Sequence, residues 1–265
     1  MSRLVQVFSN LPEGQKAFIP FITAGDSGLD NTYALMQTLV ANGADVIELG
    51  VPFSDPMADG PVIAKSHERA VADGVSLHDV IDLVNKFRQT NNTTAVVLMG
   101  YLNPIEVFGY QAFADAASES GVDGVLVVDM PPEEAHDLKQ CLDDVDIDFI
   151  FLVAPTTTND RLAYIANIAS GFVYFVSLKG VTGAGHLDID SVNTNLARIR
   201  QFIDLPVGVG FGIKDAATAK AVSVSADAVI VGSSLVSFIE QYATDRDKML
   251  ASVGALSAEI SAAIR

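Results

Sequence analysis

Three carboxylates fall within one short stretch, VIELGVPFSDPMADGP (46–61), whose pattern runs from a buried strand into a loop. Glu48 stands among Val46, Ile47, Leu49 and Val51, and Asp55 and Asp59 follow close behind. Successive side chains of a strand point to opposite faces, so Val46, Glu48 and Gly50 share one face and Ile47, Leu49 and Val51 the other. The bulkier face should pack on helices, which turns Glu48 inward. Burying an unpaired carboxylate costs several kcal/mol, so such a group is either paired or kept protonated by a raised pKa. No nearby strand offers an obvious inward Lys or Arg. A carboxylic acid protonated near neutral pH is what general acid catalysis needs, and Glu48 is read in that role.

The two aspartates are more ambiguous. Asp55, before Pro56, sits in a proline-rich loop where Asx side chains often bond only to their own backbone. Asp59 precedes Gly60-Pro61, and Pro61 is well placed to open a helix, so helix capping explains Asp59 nearly as well as chemistry does. Asp129, at the end of VLVVDMPP, is a further carboxylate at a strand end, and it could equally cap a helix beginning near Pro131. Tyr101 and Tyr174 could line an aromatic pocket or simply pack. Two glycine-rich strand ends, GVGFGI (208–213) and VGSSLV (231–236), are suited to an anion: glycine lets a ligand approach backbone N–H groups, and the following helix adds its positive end. The segment SLKGVTGAGHLDID (177–190) reads as a mobile lid, with His186 a solvated loop residue rather than a base. No His/Cys/Asp cluster has metal-ligand spacing, so no metal is expected, and neither Lys65 nor Lys179 resembles a buried Schiff-base lysine.

The elements that would position these residues alternate along the chain. Strand candidates lie at 17–25, 45–53, 95–101, 124–130, 148–154, 172–178, 206–212 and 228–234. Amphipathic stretches separate them at 30–42, 61–72 with 76–89, 105–119, 132–143, 159–169 and 191–203; helices at 214–224, 235–243 and 246–264 complete the pattern. Eight strands each followed by a helix predict a single α/β domain over residues 1–265, a (β/α)8 TIM barrel. An open doubly wound sheet is the alternative, but TAGDSG (23–28) is not its glycine fingerprint. In a barrel, active sites lie at the C-terminal ends of the strands, with phosphate sites recurring after strands seven and eight. The N-terminal stretch is read as an extra amphipathic helix with Leu4, Val7, Phe8 and Leu11 on one face.

Composition narrows the function further. The chain has 265 residues, is 49% hydrophobic, and carries a formal net charge of −17. A surface that acidic repels phosphodiester backbones, which argues against nucleic acid. The longest apolar runs fall far short of the ~20 residues of a membrane span. No secretory signal pattern opens the sequence, and a single cysteine, Cys141, fits a reducing compartment, so a cytoplasmic location is expected. There is no tryptophan.

Together, IELGVPFSDPMADGP, the FIPFITAGD start, GVDGVLVVDMPPEE, KGVTGAG, VGVGFGI and VGSS resemble, in that order, the tryptophan synthase alpha chain family over nearly the whole sequence. The resemblance implies a lyase that cleaves indole-3-glycerol phosphate to indole and glyceraldehyde 3-phosphate, a retro-aldol step with neither metal nor cofactor in this chain. It assigns Glu48 as the acid–base acting at indole C3 and the glycerol hydroxyl, and Asp59 as the acceptor of the indole N–H. Phe21, Tyr101, Tyr174 and Phe211 match positions around the indole ring, and Gly183, Gly212, Gly232 and Ser233 match phosphate contacts. Thr182 matches the lid threonine that closes onto the loop aspartate, and Asp129 is carried as a supporting substrate-side residue. The resemblance also implies a beta chain partner bearing pyridoxal phosphate, in an alpha2beta2 tetramer, faced by Asp55, Pro56, Asn103-Pro104 and Pro131-Pro132. The sequence departs from the family where Leu178 replaces the arginine frequent in the lid. Two rivals remain: another phosphosugar barrel enzyme, an isomerase or epimerase, and a mainly allosteric subunit with feeble activity of its own.

Overall fold

Strands β1 (Ala17–Thr23), β2 (Val46–Gly50), β3 (Ala95–Gly100), β4 (Gly124–Val127), β5 (Asp148–Val153), β6 (Val173–Val176), β7 (Val207–Gly210) and β8 (Ala228–Val231) are all parallel and close into a barrel in chain order. The computed structural model describes residues 2–177, 188–210 and 212–265. Each strand lies inside its expected segment, because strands buried on both faces read as short apolar runs.

Helices α1 (Arg3–Asn10), α2 (Leu29–Ala41), α3 (Pro61–Ala72), α4 (Leu77–Arg88), α5 (Leu102–Phe108), α6 (Tyr110–Ser120), α7 (His136–Asp143), α8 (Asn159–Ile168), α9 (Ile189–Ile199), α10 (Ala216–Ser223), α11 (Ser233–Gln241) and α12 (Arg246–Ala263) complete the described elements, with a 3-10 turn at Pro132–Glu134. Local chemistry sets their starts. Pro61 opens α3, Ser76 and Asp79 form a capping box on α4, and Asp215 and Thr218 form another on α10. The expected helix at 105–119 is two helices, broken at Gly109, whose φ of 87° no helix accommodates.

The period-two reading of β2 holds. Ile47, Leu49 and Val51 belong to the large core between barrel and helices, whereas Val46 joins the inner layer with Ala17, Ile19, Ala95, Val97, Leu126, Ile150 and Phe172. Helix α1 plugs the N-terminal end of the barrel. Leu4 is fully buried in the inner layer, Val7, Phe8 and Leu11 pack against it, and the Phe8 and Phe172 rings lie 5.9 Å apart. Polar ties hold it there: Ser2 Oγ donates to Asp148 at 2.8 Å, and Arg3 pairs with Asp123 at 2.8 Å. With one end plugged, a site can open only at the C-terminal end of the strands.

Candidate active site

Glu48 sits in the middle of β2, level with Phe21 on β1 and Val97 on β3, and is 1% exposed. Its Oε1 is buried with no hydrogen-bond partner, and among the described residues no cation compensates it. Burial, reinforced by the charge of Asp59, pushes its pKa up to about 8. The carboxyl group is therefore mostly protonated at neutral pH, a proton donor inside an apolar barrel.

Asp59 stands over the same mouth from the loop between β2 and α3. It does not cap α3: the position before Pro61 is Gly60, with no side-chain cap. Its carboxylate instead accepts a 2.8 Å hydrogen bond from the Tyr101 hydroxyl, which itself accepts the Ala58 N–H at 3.1 Å. Burial raises the Asp59 pKa, and the bond from Tyr101 works against that rise. Tyr101 is 1% exposed and stacks on Phe53, with ring centroids 4.9 Å apart. His67 also lies beside Asp59, on the buried stripe of α3 with Ser66 and Ala70. Sequence reading missed His67. The available signal was a Ser-His pair on a helix stripe where apolar residues are the rule.

Aromatic rings complete the walls. A Cβ added at Gly50 would lie 2.6 Å from the Phe21 ring, so the strand carries glycine where that ring crosses it. Tyr174 on β6 is buried and lies against Gly210 of β7. Burial, then the charges of Glu48 and Asp59, hold its phenol neutral. Phe21, Asp59, His67, Met99 and Tyr101 line one narrow void, and a wider cleft opens beside it along Val128, Leu152 and Val176.

The glycine-rich ends lie where an anion could be held. Gly212 has a φ of +78°, and Gly232 precedes α11 without any side-chain cap on that helix's first turn, which begins at Ser233. Gly232 also approaches Phe21 and Ile63, bringing α11's N-terminus beside the aromatic wall. At the rim, Asp55 is exposed and accepts a hydrogen bond from Ser54, Pro56 is half-buried, and Asn103 is exposed on α5. Asp129 departs from expectation. It is exposed, and its carboxylate accepts the Leu102 N–H at 2.8 Å, so it serves the N-terminus of α5 rather than a helix after Pro131. Thr182, Gly183 and Phe211, together with Leu178, Lys179 and His186, lie outside the described residues.

Among the described residues no group of three or more His, Cys, Asp or Glu could hold a metal ion, and no helix is long and apolar enough to cross a membrane. The family model for the tryptophan synthase alpha chain matches residues 8–265. The chain belongs to the tryptophan synthase alpha chain family. It is 75% identical over 265 residues to the alpha chain of Ruthia magnifica subsp. Calyptogena magnifica, with all of both chains covered. It is 57% identical to that of Burkholderia pseudomallei (strain 1106a), covering all of this chain and 97% of the other. The crystal structure of tryptophan synthase subunit alpha from Legionella pneumophila str. Paris superposes with a TM-score of 0.92 at 40% identity, covering 100% of this chain and 98% of that one. The protein is thus a lyase of tryptophan biosynthesis, an alpha chain that cleaves indole-3-glycerol phosphate to indole and glyceraldehyde 3-phosphate.

Proposed function

We propose that Glu48 and Asp59 carry this cleavage within one catalytic unit spanning residues 1–265. The buried Glu48 carboxyl, whose Oε1 has no hydrogen-bond partner, carries the reading. Protonated Glu48 delivers its proton to indole C3, which leaves the ring positively charged with its N–H polarised. Asp59, ionised and facing the same mouth, accepts that N–H and stabilises the charge as it develops. The Glu48 carboxylate then takes the proton of the neighbouring glycerol hydroxyl as the carbon–carbon bond breaks. The bonding electrons return to the ring, indole and the aldehyde leave, and Glu48 ends as it began.

Phe21, Tyr174 and Phe211 are assigned to the indole ring, with Tyr101 as the holder of Asp59. Gly183, Gly212, Gly232 and Ser233 are assigned to the phosphate, and Thr182 to closure over Asp59. The uncapped first turn of α11 supports the phosphate assignment. Asp129 keeps only an indirect part, through α5. Asp55, Pro56 and Asn103 are assigned to a beta chain that carries pyridoxal phosphate, in an alpha2beta2 tetramer in the cytoplasm.

The deciding experiment is indole release from indole-3-glycerol phosphate. Glu48→Gln keeps the shape and cannot carry a proton, so it should lower turnover by roughly 10²–10⁴-fold in a folded protein. Asp59→Asn should be severely impaired as well, because a neutral amide does not stabilise a positive ring. Near wild-type release by either folded variant overturns the assignment.

A further inference from the structure

His67 is 2% exposed, and it reaches both ends of the loop between β2 and α3. At the start of that loop the Phe53 N–H donates to His67 Nδ1 at 3.1 Å. A ring nitrogen that accepts a hydrogen bond carries no proton, so a neutral imidazole there must hold its single hydrogen on Nε2. Burial favours the neutral ring, drawing the His67 pKa down to about 4. Near the end of the loop, Nε2 lies 3.7 Å from Asp59 Oδ2, with the two side chains 3% and 5% exposed.

That separation is longer than a hydrogen bond, and it leaves an N–H group close to a carboxylate in a nearly dry site. A shift of about half an ångström converts it into a hydrogen bond, and catalytic hydrogen bonds commonly tighten when substrate binds. Tyr101 donates to the same oxygen, Oδ2.

We propose that His67 is a positioning residue for Asp59. Its Nε2–H and the Tyr101 hydroxyl together fix Oδ2, so that Oδ1 is presented to the indole N–H, while the Phe53 bond to Nδ1 fixes the tautomer that makes this possible. The ring thereby ties the loop's entrance to its catalytic carboxylate, and the loop cannot shift at one end without disturbing the other.

The inference rests on the reading of Asp59 as the acceptor of the indole N–H, and the test separates the two. Asparagine at 67 can replace Nδ1 as acceptor for Phe53 but offers no donor where Nε2 stood. Glutamine places its amide N–H near the Nε2 position. His67→Asn should lower kcat for indole release by about tenfold, the value of one hydrogen bond to a charged group. KM, and the affinity for glycerol 3-phosphate, should stay within about twofold. His67→Gln should recover most of the lost kcat. A purely structural histidine predicts no such split between the two amides. Equal turnover of the Asn and Gln variants, a Gln variant slower than Asn, or wild-type turnover in the Asn variant overturns the proposal for His67. Asp59→Asn, assayed in parallel, decides the other question: if it cleaves at the wild-type rate, it is the reading of Asp59 that fails.

Discussion

Glu48 and Asp59 are two buried carboxylates with different surroundings, and the proposed function gives them different tasks. Among the described residues Glu48 has no hydrogen-bond donor at Oε1 and no cation, and burial raises its pKa to about 8; Asp59 is also raised by burial but has the Tyr101 hydroxyl to favour its ionised form. Under the proposed function, the group whose Oε1 lacks a partner serves as the acid and the group held by a hydrogen-bond donor as the charge stabiliser. The raised pKa of Glu48 has a cost in stability whose sign is fixed. Between its ordinary value of 4.5 and about 8 the folded protein holds a proton the unfolded chain has released, so stability from this group is present below that window and is lost as pH rises through it. Glu48→Gln removes the dependence. Its Tm should match wild type near pH 5 and exceed it by pH 9, the gap widening by at most about 1.4 kcal/mol, or roughly 2–4 °C, per pH unit. Thermal melts of both proteins across that range check it; a gap that closes with rising pH would assign Glu48 a buried positive partner. Glu48 was legible in the sequence because its penalty is local: a charge within a run of apolar residues asks its own question. His67 was not legible, since its significance depends on the Phe53 amide and on Asp59, which only the folded loop brings to its two nitrogens.

The elements matter through the edges they present. Period two in β2 told inside from outside because alternation is a property of the strand alone. The break between α5 and α6 escaped detection because helical spacing continues through Gly109, and the role of Asp129 escaped because the helix it serves follows a different strand. The phosphate assignment belongs to this scale, since it rests on two consecutive strand–helix corners rather than on one side chain. Gly212 adopts φ +78°, which a β-branched residue does not tolerate, and a side chain there would also crowd any anion approaching the backbone N–H groups. Glycerol 3-phosphate should raise the Tm of the wild type by mass action, by about 2.7 kcal/mol of stability at a hundred times Kd. Gly212→Val should abolish that protection. A variant protected as fully as the wild type would move the phosphate site away from this corner.

For the whole molecule, plugging of the barrel by α1 and opening at the opposite rim give it one chemically active end. That rim also carries exposed apolar side chains: Met57, in the loop with Asp55 and Asp59, and Val107, on α5 with Asn103, are each 82% exposed. Large exposed apolar side chains beside the catalytic loop suit a protein partner, and an acidic molecule of net charge −17 supplies the polar surroundings of such a patch. A beta chain docked there would restrain the loop and favour the arrangement in which Asp59 faces the mouth, raising turnover through a shift of population without adding a catalytic group. Asp55 tests this, because it stands in the same loop, is exposed, and its side chain accepts a hydrogen bond from its neighbour Ser54. Asp55→Ala should leave the activity of the isolated chain nearly unchanged and blunt any rise when beta chain is added. Indole release by wild type and variant across a titration of beta chain measures both quantities at once. An equal fractional loss with and without the partner would place Asp55 in the chemistry itself, and the loop would then be an active-site wall rather than the hinge between two subunits.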